Sequence, residues 1–558
     1  MNLHRIYFLL LITFLSACSS RQEENADKTV FRYNDASGIS SLDPAFAKDQ
    51  SSIWACLQLY NGLLSLDADL NIQPSIAKSW DISPDGLQYT FHLRGDVLFH
   101  ESDLFEAVEY NGQNINSRYV TAEDFVFSFK RLVDAKVASP GAWVMNTVQK
   151  DESGSLTGLK ALNDSTLIIT LRHSFPAFAS LLTMPYCAVV PKEVVKNNDS
   201  EFRRRPCGTG PFRFSYWKEG VRLIFLKNQN YFEEINGEKL PRLDAVEISF
   251  IGDKQSAFIE FLKGKLDFLS GLDASYKDEL LTRSGKLQPR HEGRFKLETL
   301  PYLNTEYLGI LIKHNEESQD KHPLQNPKVR QALSLGFDKS SMMKYLRNNM
   351  GTPGIYGMIP PGMPGFDSAS CLAYTYDIRK AKSLLAEAGY PEGKGLKEIT
   401  LSTTSTYLDL CEYIKSQWEN LGVKVKIDVN QAAIHRKMVS EQKLEFFRGS
   451  WIADYPDAEN YLSLFHSGNF APGGPNYTHY RNSEFDRLYS SASGINHPEE
   501  RWKIYRKMDS LVMADAPVII LYYDKVLRLV SNEIQGLENN AMNMLVLKNV
   551  RKSVSTSR

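Results

Sequence analysis

Only one stretch of this sequence is close to continuously apolar, Ile6 to Leu15, and it stands at the very start. It is shorter than the roughly 20 residues needed to span a bilayer. It follows a weakly basic start at His4 and Arg5 and runs into Leu15-Ser16-Ala17-Cys18. A basic start, an apolar run and small residues make an export signal of the kind removed from a mature protein. No later segment approaches 18 continuous apolar residues, so everything behind the signal is expected to fold as a water-facing body.

The residues before Cys18 resemble a bacterial lipobox. Residues 1–17 are therefore read as a lipoprotein signal peptide and Cys18 as the lipidated first residue, the body's only link to a membrane. Residues 18–28 are polar and lack a hydrophobic pattern, so they read as a tether. The chain from Cys18 onward, 558 minus 17 or 541 residues, far exceeds the roughly 250 to 300 at which single cores split. At least two lobes are expected. The net charge is −1, with basic residues dispersed, and becomes −2 after loss of Arg5. No electrostatic footprint for nucleic acid appears.

Five cysteines remain beyond Cys18: Cys56, Cys187, Cys207, Cys371 and Cys411. Export permits a bridge, and Cys187 with Cys207 is the candidate disulfide; all five as small buried residues is the alternative. There is no C-x-x-C, and the histidines, His466 and His479 included, form no paired metal motif. No metal or other cofactor is implied.

Along the chain, Val30 to Asn34 reads as a strand and Ser51 to Tyr60 as a helix. Two alternating runs meet at Ser83-Pro84-Asp85-Gly86, a hairpin turn set. Thr121 caps an amphipathic helix with Asp124 at the capping-box position, and Phe125, Phe129 and Leu132 form its apolar stripe. Residues 159–172 read as a strand pair, and Pro176 to Met184 as a helix leading to an apolar strand at Cys187 to Val190. Cys207-Gly208-Thr209-Gly210-Pro211-Phe212 has no phosphate-loop spacing and reads as a turn into a hairpin. Leu243 to Phe268 reads strand, helix, strand. The alternation continues, which argues for α/β lobes.

The stretch Leu444 to Phe465, LEFFRGSWIADYPDAENYLSLF, carries the chemistry. If extended, it places Arg448, Ser450, Ile452 and Asp454 on one face. A cation and an anion on one face suit a short zwitterionic chain such as a peptide. No G-x-S-x-G or H-E-x-x-H is present, so hydrolase chemistry finds no motif; Asp454, Asp457 and Glu459 only imitate a glycosidase pair.

The succession IAKSWDISPDGLQYTFHLRGDVLFH, TAEDFVFSFKRLVD, CGTGPFRF, NPKVRQALSLGFDKSSMM, KAKSLLAEAGYPEGKGL and GSWIADYPDAENYLSLF resembles family 5 of the bacterial extracellular solute-binding proteins. The C-terminal EERWKIYRKMDSLVMADAPVIILYY is similar to the family's last long helix and return strand. The resemblance implies an α/β, type II periplasmic-binding-protein fold: two lobes, an interlobe cleft and an extra subdomain in the first. The expected division is lobe I over 29–290 with an inserted subdomain at about 66–185, lobe II over 291–513, and a return to lobe I over 514–558. Crossings are expected near Arg290 to Leu300 and near Ala514 to Leu521.

In function the resemblance implies no enzyme and no catalytic residue. It implies the binding component of an ABC transporter, capturing di- to oligopeptides for inner-membrane permease subunits, with the ATPase subunits engaged indirectly. A monomer, lipid-anchored and facing the periplasm or cell exterior, is expected. Another solute, such as an oligosaccharide, glutathione or a metal complex, is the alternative, as is a sensor lipoprotein of the same fold.

In peptide-binding relatives the Asp of W-x-x-D bonds the ligand ammonium, and Asp454 stands there, three residues after Trp451. An Arg six residues earlier meets the ligand carboxylate, and Arg448 holds that place, where a guanidinium suits a carboxylate by bidentate geometry. Asp457 is the more natural helix cap. Trp451 and Tyr455 are candidate pocket walls. Tyr302, Asn304 and Tyr307, on the strand from Pro301 to Lys313, are candidate contacts; each is equally explained by packing or hinge.

Overall fold

The computed structural model describes residues 28–198, 201–271, 277–312, 322–369 and 374–553. The signal segment, Cys18, the tether up to residue 27, Lys313 and Cys371 lie outside the described residues.

Strand β1, Val30–Asn34, buries Phe31 and Tyr33 in the alternation of a pleated strand. Helix α1, Gln50–Leu59, begins where Asp49 accepts from the Ser52 amide at 2.9 Å, satisfying one of the donors a helix start leaves open. The Ser83-to-Gly86 turn joins β2, Ala77–Ile82, to β3, Gln88–Leu93, as an antiparallel pair. Gly86 closes it at φ 69°, a left-handed value glycine adopts without strain. Helix α2, Ala122–Val133, carries the capping box at Thr121 and Asp124 and buries Phe125, Phe129 and Leu132. Strands β4, Leu159–Asn163, and β5, Thr166–Thr170, complete a four-stranded sheet in the order β2-β3-β5-β4.

Two expectations are corrected here. Cys187 to Val190 is not a strand: Pro185–Cys187 form a single 3-10 turn, and the Val189 and Val190 amides donate to Asn61 O and Ser128 Oγ at 3.1 and 3.0 Å. Pro185 fixes φ and has no N–H for a ladder, so the apolar run is spent on a turn packed against neighbouring loops. Nor is the Cys187–Cys207 disulfide formed. Both thiols are free and buried, Cys187 Sγ donating to Leu181 O at 3.5 Å and Cys207 Sγ to His100 O at 3.3 Å. Burial pushes both thiols up, Cys207 to about 12. They behave as small apolar residues.

The glycine-rich turn leads into the hairpin of β6, Phe212–Lys218, and β7, Arg222–Lys227. Strand β8, Ala245–Ser249, helix α3, Lys254–Leu262, and β9, Phe268–Ser270, come next. Strand β10, Phe295–Ile310, then runs for 16 residues. Beyond it come β11, Ile399–Thr404, β12, Val425–Asn430, and β13, Phe446–Ile452. Helix α4, Pro498–Asp515, and the 14-residue β14, Val518–Ser531, return the chain.

These strands join in the order β6-β7-β8-β1-β9-β14-β10-β13-β11-β12, with Thr352–Pro353 added to β14. Two large cores flank the centre of this array. One gathers Phe31, Trp54, Phe125, Phe178 and Leu223, the other Leu308, Trp418, Phe446 and Tyr461; a smaller cluster holds Phe258, Phe261 and Phe295. The long antiparallel pair β10 and β14, paired from Phe295 opposite Ser531 to Gly309 opposite Val518 with register shifts between Pro301 and Thr305 and between Glu306 and Tyr307, passes from the small cluster into the second large core. Phe295 and Leu529 lie in the small cluster, whereas Leu308 and Ile519 lie in the second large core. The result is a two-lobed α/β molecule. Among the described residues no helix is long and apolar enough to cross a membrane.

Candidate functional site

Between the two large cores lies a cleft of about 420 Å³. Its first wall comes from Lys48 in the segment leading into α1, from Ile53 and Trp54 on α1, from Trp143, from Thr183 to Tyr186, and from Met542 to Met544. Its second wall comes from β10 at Tyr302 and Leu303 and from the end of β13 at Ile452, Ala453 and Asp454.

Each wall is fixed by interactions behind it. On the second, the Ala453 amide donates to Leu303 O at 2.9 Å, and Tyr461 Oη donates to the same carbonyl at 2.7 Å. Asn460 orients both Trp451 and Asp454. Its Oδ1 accepts from Trp451 Nε1 at 2.8 Å and from the Asp454 amide at 3.3 Å, and its Nδ2 donates to Asp454 Oδ2 at 3.3 Å. Deeper still, Asp457 accepts from the Glu459 amide at 2.9 Å and pairs with Arg501 at 3.0 Å. The Glu459 carboxylate accepts from the hydroxyls of Tyr455 and Tyr489. Buried carboxylates satisfied this fully make a rigid platform for Asp454.

On the first wall, Trp54 Nε1 donates to Asn543 O at 2.7 Å and Gln58 Nε2 to Leu545 O at 2.7 Å, stapling the returning chain to α1. Arg528, fully buried on β14, holds the same loop through Asn539 Oδ1 at 2.8 Å, Asn543 Oδ1 at 2.8 Å and Met544 O at 2.9 Å. Desolvation lowers its guanidinium to about 10, with the charge of Glu298 opposing. Lys48 sits between a 3-10 turn at Pro44–Phe46 and α1. Asp43 caps that turn while accepting both Nη groups of Arg131, at 2.9 and 2.5 Å.

Of the residues expected to bind ligand, Asp454 lies on the cleft. Its side chain is exposed to the open cavity, and partial desolvation by the cleft walls raises its pKa against the opposing Asn460 hydrogen bond. It makes no ion pair among the described residues. Tyr302 also lines the cleft. Trp451 stands behind Asp454, tied to Asn460, and packs on the second core. Tyr455 is buried against the first core, its ring 6.4 Å from that of Trp143. Through it the segment after Asp454 touches the opposite lobe.

Arg448, Asn304 and Tyr307 are not brought to the cleft. Arg448 pairs with buried Glu306, and its guanidinium lies 3.3 Å from the centre of the Tyr407 ring. Asn304 Nδ2 donates to Glu306 Oε1 at 3.1 Å and to Asp524 Oδ2 at 3.3 Å. Burial raises the Glu306 pKa, with Arg448 opposing. Tyr307 is buried in the second core against Gly449. The register explains the separation: Arg448 lies opposite Leu308 in mid-strand, whereas Ile452, opposite Asn304, ends the ladder where the cleft begins.

Lys48, Trp54, Trp143 and Met542 to Met544 were not legible as cleft residues, nor Asn460 as the support behind Asp454. Trp54 and Trp143 carry the only signal, as aromatics, and nothing local joins residue 48 to residues 452–454 or 542–544.

Residues 71–472 match the family described as bacterial extracellular solute-binding proteins, family 5 Middle. Heme-binding protein A of Haemophilus influenzae is 29% identical over 515 residues, spanning 89% of this chain and 88% of that protein. The structure of HbpA2 from Haemophilus parasuis superposes with a TM-score of 0.80 at 23% identity, covering 94% of this chain and 100% of that one. The ABC transporter-associated periplasmic binding protein DppA from Helicobacter pylori, in complex with peptide STSA, reaches 0.69 at 26% identity, covering 95% and 99%.

Proposed function

The chain belongs to family 5 of the bacterial extracellular solute-binding proteins, with their type II two-lobed fold, and is a substrate-binding component of an ABC transporter; from that premise we propose that its solute is a short peptide. One observation carries this reading. Asp454 is an exposed carboxylate on the cleft wall, held by Asn460 and without an ion pair among the described residues. When the lobes close over a ligand this charge is taken from water, which is unfavourable unless a partner of opposite sign completes it. A peptide's α-ammonium is such a partner, and Asn460 holds the carboxylate for it.

In this reading the ligand enters between lobe I, 29–290 with the return over 514–558, and lobe II, 291–513. The lobes then close by hinge motion about the crossing strands. The closed complex is delivered to a permease, and ATP hydrolysis belongs to partner subunits. Cys18, lipidated, tethers a monomeric chain to the membrane. That a relative is named as peptide-bound supports the choice of ligand class.

Trp54 and Trp143 line the cleft, so their fluorescence reports occupancy. Titration with tri-, tetra- and penta-alanine is expected to give a saturable change that is absent with N-acetylated forms. A saturable change with hemin or an oligosaccharide, and none with peptides, would overturn the assignment.

A further inference from the structure

Only two charged side chains line the cleft among the described residues, Lys48 on the first wall and Asp454 on the second. Lys48 is exposed and makes no ion pair there. Its backbone is nonetheless fixed: the Lys48 amide donates to Phe46 O at 2.8 Å, and the preceding turn is clamped by Asp43 and Arg131. On the other side Asp49 caps α1. The cation is thus presented from a rigid base at the cleft wall.

Arg448, the residue expected to take a ligand carboxylate, has its guanidinium engaged by Glu306 and Tyr407 away from the cleft. Releasing it would strand the buried Glu306 carboxylate, which is strongly unfavourable. Among the described residues, an anionic end of a ligand in this cavity therefore finds one lining cation outside an ion pair, Lys48.

We propose that Lys48 is the anion-recognising residue of the site, so that the preferred ligand carries a free carboxylate and spans the lobes, its ammonium on Asp454 and its carboxylate on Lys48. This rests on the peptide reading of the cleft and deepens it. Because the two charges stand on opposite lobes, a zwitterion bonds both, whereas a ligand blocked at either end bonds one. Specificity for uncapped peptides then arises from the lobes themselves, without any reading of side chains.

Calorimetry on the mature chain tests this with tetra-alanine, its C-terminal amide and its N-acetyl form, against wild type, Lys48→Gln and Lys48→Arg. In wild type, amidation is expected to weaken binding by roughly tenfold or more. Lys48→Gln is expected to weaken the free acid by a similar factor and to bind acid and amide alike, while Lys48→Arg restores the discrimination. If Lys48→Gln still separates acid from amide as wild type does, while N-acetylation still abolishes binding, Lys48 is not the anion partner and the peptide reading stands. If wild type binds none of the three, or binds the N-acetyl form as well as the free one, the peptide reading itself fails and this inference with it.

Discussion

Asp454 shows how far one residue can carry a reading of function. Its place after Trp451 was legible because the motif is contiguous. The cleft it lines was not, because Tyr186 and Trp143, which line the same cleft, come from far upstream. Asp454→Asn keeps the shape and the Asn460 contact but removes the charge. Peptide affinity is expected to fall by about 2–5 kcal/mol, the range for truncating one partner of a buried charge pair, as read by calorimetry. Since an ammonium binds the ionised carboxyl and burial raises that carboxyl's pKa, wild-type affinity is expected to fall as pH drops from 7 toward 4. In Asp454→Asn that trend should vanish.

Asp509 presents a different residue-scale case, with no ligand involved. It is buried on α4, accepts from the Met358 amide at 2.8 Å, and its pKa is raised by desolvation to about 7. A carboxyl whose folded pKa lies above its unfolded value near 3.8 favours folding in its protonated form. That contribution is fully present below about pH 4 and is lost as pH rises through 7. Asp509→Asn should flatten the loss of stability between pH 5 and 8, by up to roughly 3 kcal/mol at about 1.4 kcal/mol per pH unit between pH 5 and the folded pKa of about 7. Urea unfolding at the two pH values measures it.

Among the elements, the legible ones were those whose cause is local. The hairpin at Ser83 to Gly86 and the capped helix at Thr121 declare themselves within a few residues, through turn and capping chemistry. Cys187 to Val190 misled because its apolar run matches a buried strand in composition, while Pro185 just upstream directs it into a turn. The glycines of Cys207 to Phe212 had a readable turn role but a hidden packing one. A Cβ on Gly210 would stand 2.3 Å from Leu59 C and 2.5 Å from Gln58 O, both backbone atoms of α1. Gly210→Ala must therefore push the hairpin off the helix. Destabilisation of about 1–3 kcal/mol or more is expected in denaturant unfolding, as for other overpacked sites; a ΔΔG near zero would show that the approach is looser than the structure has it.

For the whole molecule, composition and length were enough to require at least two cores, and alternation was enough for α/β lobes. The family resemblance supplied the two-lobed fold, which the sheet joined through β10 and β14 displays. What no local pattern could supply is the cleft's first wall, because it is assembled from residues 48–54, 143, 183–186 and 542–544. Such joins depend on buried tertiary bonds, like Trp54 to Asn543 and Arg528 to the same loop. That Lys48 and Asp454 are the two charged residues lining the cleft among the described residues is a property of that assembly, not of either segment.

The peptide reading stands or falls on whether the cleft carboxylate at Asp454 receives a peptide's α-ammonium. Calorimetry of the wild-type protein with a free peptide and its N-acetylated counterpart isolates that contact, because acetylation removes the ammonium charge and little else. Saturable binding of the free peptide is expected, with a loss of about a hundredfold or more on acetylation, the equivalent of about 2.7 kcal/mol. Equal affinity for the two forms would contradict it.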